Sequence, residues 1–294
     1  MQFSIVLQYL APKQALTRVA GMLASLEGGG LTTAVIAWFI KRYQVNMAEA
    51  ANSDIASYKT FNQFFTRPLK AGARPLAKAE FICPVDGAIS QFGSIEKDQI
   101  FQAKGHRYST LALVAGQKEL AAKFDNGQFA CLYLSPKDYH RIHMPCDGEL
   151  KTMTYVPGDL FSVNPLTAQN IPNLFARNER VVCEFESAKH GTFVMVLVGA
   201  TIVGSMATVW HDAADGTNSK IINPPRTANI RTWNYENIAQ DQFIQLKQGD
   251  EMGRFLLGST VVMLFEKDAL QFNAAWKPSR TIQLGEMMAN SSAA

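Results

Sequence analysis

Gly258, Ser259 and Thr260 interrupt an apolar run with one flexible residue and two hydroxyls, and that interruption calls for a chemical reason. Phe255, Leu256 and Leu257 lead into it, and Val261 to Phe265 follow. A run this apolar, rich in β-branched and aromatic types, reads as one continuous buried strand. Glycine weakens a strand interior and marks a bulge or a close approach by another group. Hydroxyls buried there cost free energy unless each finds a partner. A serine in such a place becomes a nucleophile once a base takes its proton.

Candidate bases are few. Of five histidines, His140 and His143 stand three apart in Tyr139-His-Arg-Ile-His-Met-Pro145. In a helix or turn that spacing puts both rings on one side. Two such imidazoles could bind a metal with Asp86 as third ligand. Alternatively, one is a general base and the other binds or protonates substrate; or both merely cap or face solvent. Asp86, in Pro84-Val-Asp-Gly87, reads either as a turn residue bonded to its own backbone or as the group that orients an imidazole. Ser259, a histidine and Asp86 then form a self-consistent triad. It is not the nucleophile elbow of an α/β-hydrolase, because Leu257 and Val261 occupy the positions where that motif needs glycine. The residues by themselves reach an activated serine; a lipid hydrolase, a zinc site and a membrane-binding scaffold stay open.

The elements that must position these groups follow from composition and pattern. The chain has 294 residues, enough for a large core, with 47% hydrophobic and 18% charged residues, which excludes disorder. A net charge of +3 is too small to argue for nucleic acid. Cys83, Cys131, Cys146 and Cys183 form no C-x-x-C pair, which argues against a zinc ribbon or disulfide framework and fits a reducing compartment. No secretory signal is expected, since Met1 to Leu10 lacks a basic start. Thr192 to Trp210 carries no charge and is long enough to span a bilayer. Its Val, Ile and Thr content, with Gly199 and Gly204, instead predicts two buried strands around a turn.

Ile5, Tyr9, Leu16, Val19, Leu23 and Leu26 recur at helical spacing, as do Val35, Trp38, Phe39 and Tyr43. Gly28-Gly29-Gly30 ends the first helix. With Lys13, Arg18, Lys41 and Arg42, these basic amphipathic helices suit either a membrane interface or the protein's own core. Arg67-Pro-Leu69 and Arg74-Pro-Leu76 punctuate a linker-like stretch. From Phe81 onward, runs such as Ala130–Leu134, Val181–Phe185, Phe193–Val198 and Val261–Phe265 alternate with turns. The class predicted is α+β: a β-rich catalytic core with an N-terminal amphipathic helical region. Residues 211–229 are polar and read as a surface loop.

Taken together, the motifs resemble the bacterial membrane-associated, pyruvoyl-dependent phosphatidylserine decarboxylase proenzymes. The resemblance runs through Tyr58-Lys-Thr-Phe-Asn-Gln-Phe-Phe-Thr-Arg-Pro-Leu69, Pro84–Gly87, Ala103-Lys-Gly-His106 and Tyr139–Pro145. It continues through Tyr155–Asn164, Asn173–Arg180, Gly199–Ser205, Glu251–Phe255 and Leu257-Gly-Ser-Thr260. It implies that Ser259 attacks the carbonyl of Gly258, with His143 as base and Asp86 as its orienter. The chain would part between 258 and 259 into a β chain (1–258) and an α chain (259–294) headed by a pyruvoyl group. That group would form a Schiff base with phosphatidylserine and release CO2 and phosphatidylethanolamine. His140 would contact the substrate carboxylate or deliver a proton, and no metal is implied. The resemblance further implies a helical membrane-associating region over 1–60 and a decarboxylase domain over 61–294. The partners implied are phosphatidylserine, an anionic membrane surface and the two chains of one proenzyme, with a homodimer open and nucleic acid excluded. The location implied is peripheral, on the cytoplasmic face of the bacterial inner membrane.

Overall fold

The computed structural model describes residues 3–201, 206–210, 229–236, 243–256 and 259–292. Nine of its strands form a central antiparallel sheet. In spatial order these are β11 (Arg231–Asn234), β7 (Gly148–Val156), β8 (Arg180–Ser187), β9 (Gly191–Val198), β14 (Thr260–Phe265), β5 (Gln128–Tyr133), β2 (Gly87–Ser94) and β16 (Thr281–Ile282). The ninth, β12 (Gln245–Leu246), also pairs with β7. A second sheet orders β10 (Met206–Thr208), β13 (Glu251–Phe255) and β6 (Arg141–His143). A third orders β1 (Phe81–Ile82), β17 (Met287–Asn290) and β15 (Gln271–Phe272), and β3 (Gln99–Ala103) pairs with β4 (His106–Ser109). The β-rich α+β class holds.

Side chains alternate across a strand, so a strand buried on one face shows a period of two. Here β9 and β14 do not alternate, because both faces are covered. Val261, Met263 and Phe265 point into one core with Phe193, Met195 and Leu197. Val262 and Leu264 point into the other with Val194, Val196 and Val198. Each such side chain, fully buried, contributes roughly 1.5–3 kcal/mol. The second core is closed by short helices at Thr110–Leu113, Lys118–Ala122, Pro165–Ala168 and Leu174–Arg177.

Three expectations change. The run from Phe255 to Phe265 is not one strand: β13 ends at Phe255 in the second sheet, and β14 starts at Thr260 in the central one. Ser259 lies in the passage between them, and Gly258 lies outside the described residues. The first helix is also divided, into α1 (Phe3–Leu10) and α2 (Lys13–Ala24). Pro12 has no N–H to donate and its ring excludes the preceding turn's carbonyl, so the helix must restart. His140 and His143 sit at the entry and end of strand β6 rather than in a helix or turn. The uncharged stretch from Thr192 does divide into two strands, β9 and β10, in different sheets. The loop expected at 211–229 lies outside the described residues except for its last position.

The glycine run separates α2 from α3 (Gly30–Tyr43), with Gly29 at φ 54° as its cap. A short helix, α4 (Phe61–Phe65), starts where Thr60 accepts from the Gln63 N–H. Ile36, Val45, Tyr58, Phe64 and Phe65 form a small core of their own, with Phe39 among the aromatic rings. All four cysteines are free and buried, and burial pushes the Cys131 and Cys146 thiols up to about 12.

Candidate active site

The sheet register sets the first two groups. Thr260 and Ala88 both lie opposite Tyr133, one on each side of β5. One residue further along that row, the Leu134 N–H donates to the Ser259 carbonyl at 2.9 Å. Gly87 flanks the same position on the other side, and a Cβ there would come within 2.3 Å of the Tyr133 carbonyl oxygen. Only glycine lets β2 close against β5 at this end. Asp86 therefore stands one strand removed from Ser259, about 10 Å away between backbones at ordinary strand spacing.

His143 comes in from the second sheet. Its N–H donates to the Pro84 carbonyl at 2.9 Å, two residues before Asp86. Its ring is oriented by Gly249, whose carbonyl accepts from Nδ1–H at 2.7 Å. That bond fixes the tautomer, so Nε2 carries the lone pair and receives the Tyr139 hydroxyl at 3.2 Å. Burial pushes the imidazole below its ordinary range, opposed by the Gly249 bond and the Glu251 charge. Burial likewise pushes the Tyr139 phenol up to about 12, so it stays a donor at neutral pH.

Asp86 is buried and does not bond to His143. Arg74 grips it: Nε reaches Oδ1 at 2.9 Å and Oδ2 at 3.2 Å, and Nη2 reaches Oδ2 at 2.6 Å. The Leu284 N–H adds 2.9 Å to Oδ1. The same Nη2 reaches Glu49 Oε2 at 2.7 Å. Asp86 therefore acts on His143 through its charge, which favours the imidazolium.

His140 is fully buried, its ring centroid 4.1 Å from that of Phe65. Nδ1–H donates to the Asp138 carbonyl at 2.8 Å. Burial drives the ring down to about 3, so it is neutral. Its Nε2, like Thr260 Oγ1, is a buried polar atom without a partner among the described residues. A cleft of about 380 Å³ opens beside the row, lined in part by Gly87, Tyr133, Ser135, Lys137, Asp138 and Val163.

The structure places Asp86 just before β2 and Ser259 just before β14, flanking the end of β5, ties His143 to the Pro84 carbonyl, and sets His140 against Phe65. The rings of His140 and His143 are held by different carbonyls, and both nitrogens of His143 are engaged. Sequence reasoning missed Arg74, Tyr139 and the Gly249 carbonyl. Arg74 was visible only as a residue before proline in a linker-like stretch, and a backbone carbonyl leaves no trace in side-chain chemistry.

Comparison with known proteins gives two family matches. Residues 61–290 match the family model for phosphatidylserine decarboxylase, and residues 3–44 match a model described as PSD. A protein of Dechloromonas aromatica (strain RCB) is 67% identical over 287 residues, covering 98% of this chain and 97% of its own. Another, from Methylobacillus flagellatus, is 65% identical over 288 residues, covering 98% of each chain. Both are described as phosphatidylserine decarboxylase proenzymes.

Proposed function

Because the chain belongs to the phosphatidylserine decarboxylase family, we propose that Ser259 is the residue from which its catalytic carbonyl is made. The protein converts phosphatidylserine to phosphatidylethanolamine and CO2, and it is a proenzyme that processes itself. In the proposed self-cleavage, Ser259 Oγ attacks the carbonyl of Gly258, and the peptide nitrogen is displaced to give an ester. His143 Nε2 is the atom that takes the hydroxyl proton, since its Nδ1–H is committed to Gly249. Tyr139 occupies that nitrogen until then and is a donor for the oxyanion or the departing nitrogen. β-Elimination of the ester would release the Gly258 carboxylate and leave dehydroalanine, and water would hydrolyse its imine tautomer to ammonia and a pyruvoyl group heading residues 259–294.

The observation carrying this reading is a fully buried serine in the passage between two sheets, followed by Thr260, whose hydroxyl has no partner among the described residues. When formed, the pyruvoyl carbonyl would condense with the substrate amine and accept the electron pair left as CO2 departs. His140 Nε2, without a partner among the described residues, carries the lone pair of a neutral ring and can accept a hydrogen bond from the head group. The cleft beside Tyr133 and Ser135 is the proposed approach for the head group. Intact mass tests the reading: two fragments, the smaller lighter than a serine start requires, and gaining the lipid's mass after borohydride reduction with phosphatidylserine. A single full-length species in active protein would overturn it.

We place the enzyme peripherally, on the cytoplasmic face of the inner membrane, with residues 1–60 as the docking region and 61–294 as the decarboxylase domain. No described helix is long and apolar enough to cross a membrane. Helix α1 packs on the core, with Ile5 buried and Gln8 accepting from the Ser162 N–H at 3.0 Å. By contrast, Leu16, Val19, Leu23, Leu26, Leu31 and Trp38 on and between α2 and α3 stay exposed. Arg18, Lys41 and Arg42 are exposed with them. Apolar side chains beside cations are what an anionic bilayer surface receives. The protein is expected to co-float with phosphatidylglycerol vesicles, and Leu23→Glu with Trp38→Glu is expected to weaken binding at least tenfold. Equal flotation of wild type and double variant would remove this surface from the account.

A further inference from the structure

Resting on the assignment of Asp86 to self-cleavage, we infer that Arg74 is the positioning residue for that carboxylate. Two features of the geometry carry this. First, the contact is a fork: two guanidinium nitrogens meet both carboxylate oxygens, at 2.6 to 3.2 Å. A planar guanidinium fixes a carboxylate's position and plane together, which a point cation cannot do. Second, the pair is nearly dry, with side-chain exposures of 8% and 9%. In that setting a carboxylate cannot hold its place by solvation, and an unpaired one is driven to move or to take up a proton.

The remaining contacts of Asp86 show why the fork matters. Its only other bond among the described residues is the Leu284 N–H on Oδ1, which pins one oxygen and leaves rotation about it free. Arg74 stops that rotation. It is itself anchored by donation from Nη1 to the Ala73 carbonyl at 2.8 Å and from Nη2 to Glu49. Hydrogen bonds to Asp86 hold the guanidinium more firmly protonated than usual. The hydrogen bonds of Arg74 go to Asp86, Glu49 and the Ala73 carbonyl, so it acts through Asp86, by setting where the negative charge stands relative to the imidazole.

A rival use of Arg74 is a plain fastening of the helical region to the core through Glu49. The two uses separate in one experiment. The full chain is translated in a cell-free system with labelled methionine and chased on a denaturing gel. Met263, Met287 and Met288 make the smaller fragment visible. Arg74→Ala is expected to cleave at least about 30-fold more slowly, within the roughly 10⁴-fold lost when a triad's orienting carboxylate is disabled. Methylguanidinium restores the rate and methylammonium at equal ionic strength does not. Arg74→Lys falls between, and Glu49→Gln stays near wild type. Resistance of the uncut chain to protease reports the fold, and if Arg74→Ala loses it, Arg74→Lys and Arg74→Gln carry the comparison.

Wild-type speed in all three Arg74 variants overturns the inference. So does slowing that methylguanidinium leaves untouched, or slowing by Glu49→Gln as large as that by Arg74→Ala. A wild-type chain that never cleaves sinks the underlying assignment of Ser259 instead, a distinct result.

Discussion

Ser259→Ala is expected to leave one polypeptide of 32.4 kDa and no decarboxylation above background. Without Oγ nothing can attack the Gly258 carbonyl, and without the resulting ester no elimination follows. The loss is all-or-none because on this reading the same residue serves twice: its Oγ is the nucleophile and departs with the Gly258 carboxylate, and its Cα then becomes the ketone carbon, with oxygen from water. The substitution removes one oxygen from a fully buried position, so the sheet loses no volume it needs. The measurements are a denaturing gel and CO2 release. Fluorophosphonate labelling separates the surviving rival: a hydrolase keeps its hydroxyl and labels at Ser259, whereas the mature decarboxylase proposed above would have no hydroxyl there. Active, unsplit, labelled protein would end the case.

His143→Gln should slow self-cleavage by about 10²- to 10⁴-fold, the usual contribution of a positioned base. The pH dependence of the wild-type rate carries the finer test. The reactive form is the neutral ring, and burial lowers the proton affinity of His143. The neutral form therefore dominates at and above the ordinary imidazole value of about 6.5 and is lost only at lower pH. Cleavage half-times are expected to stay flat from pH 8 to about 6.5 and to lengthen below it. An inflection at or above pH 7 would mean that His143 is solvated, or that another group is the base.

The strands of this fold were legible because its central sheet is covered on both faces. Ala130–Leu134, Val181–Phe185, Phe193–Val198 and Val261–Phe265 read as buried runs and are buried strands. The same saturation hid the break at Phe255. Two buried strands in different sheets, joined by a short passage, look like one long strand when every neighbour is apolar. Only Gly258 and Ser259 hinted otherwise, as a weakness whose cause was not a bulge but a change of sheet. The helices misread in the opposite way: hydrophobic spacing carried across Pro12, while the missing N–H there decided the matter.

At the site, residue types were legible and their wiring was not. Asp86, His140, His143 and Ser259 stand out because carboxylate, imidazole and hydroxyl chemistry is visible in a sequence. That Asp86 bonds Arg74, and His143 bonds Gly249, depends on where loops from 66–80 and 247–250 close over the sheet ends. Spacing of three between the histidines implied a shared face; in an extended segment it gives each ring its own carbonyl partner.

Strand β14 has one more implication. It is clasped by six residue pairs from β9 on one side and six from β5 on the other. A cut at the proposed position just before it would release an end without releasing the strand, so the severed pieces would remain interlocked like a tenon in its joint. Reassembly from separated pieces would instead require two molecules to meet, and dilution would hinder it as it never hinders a single thread. On that reading the order of events is imposed: the chain finishes folding first, and only then severs itself.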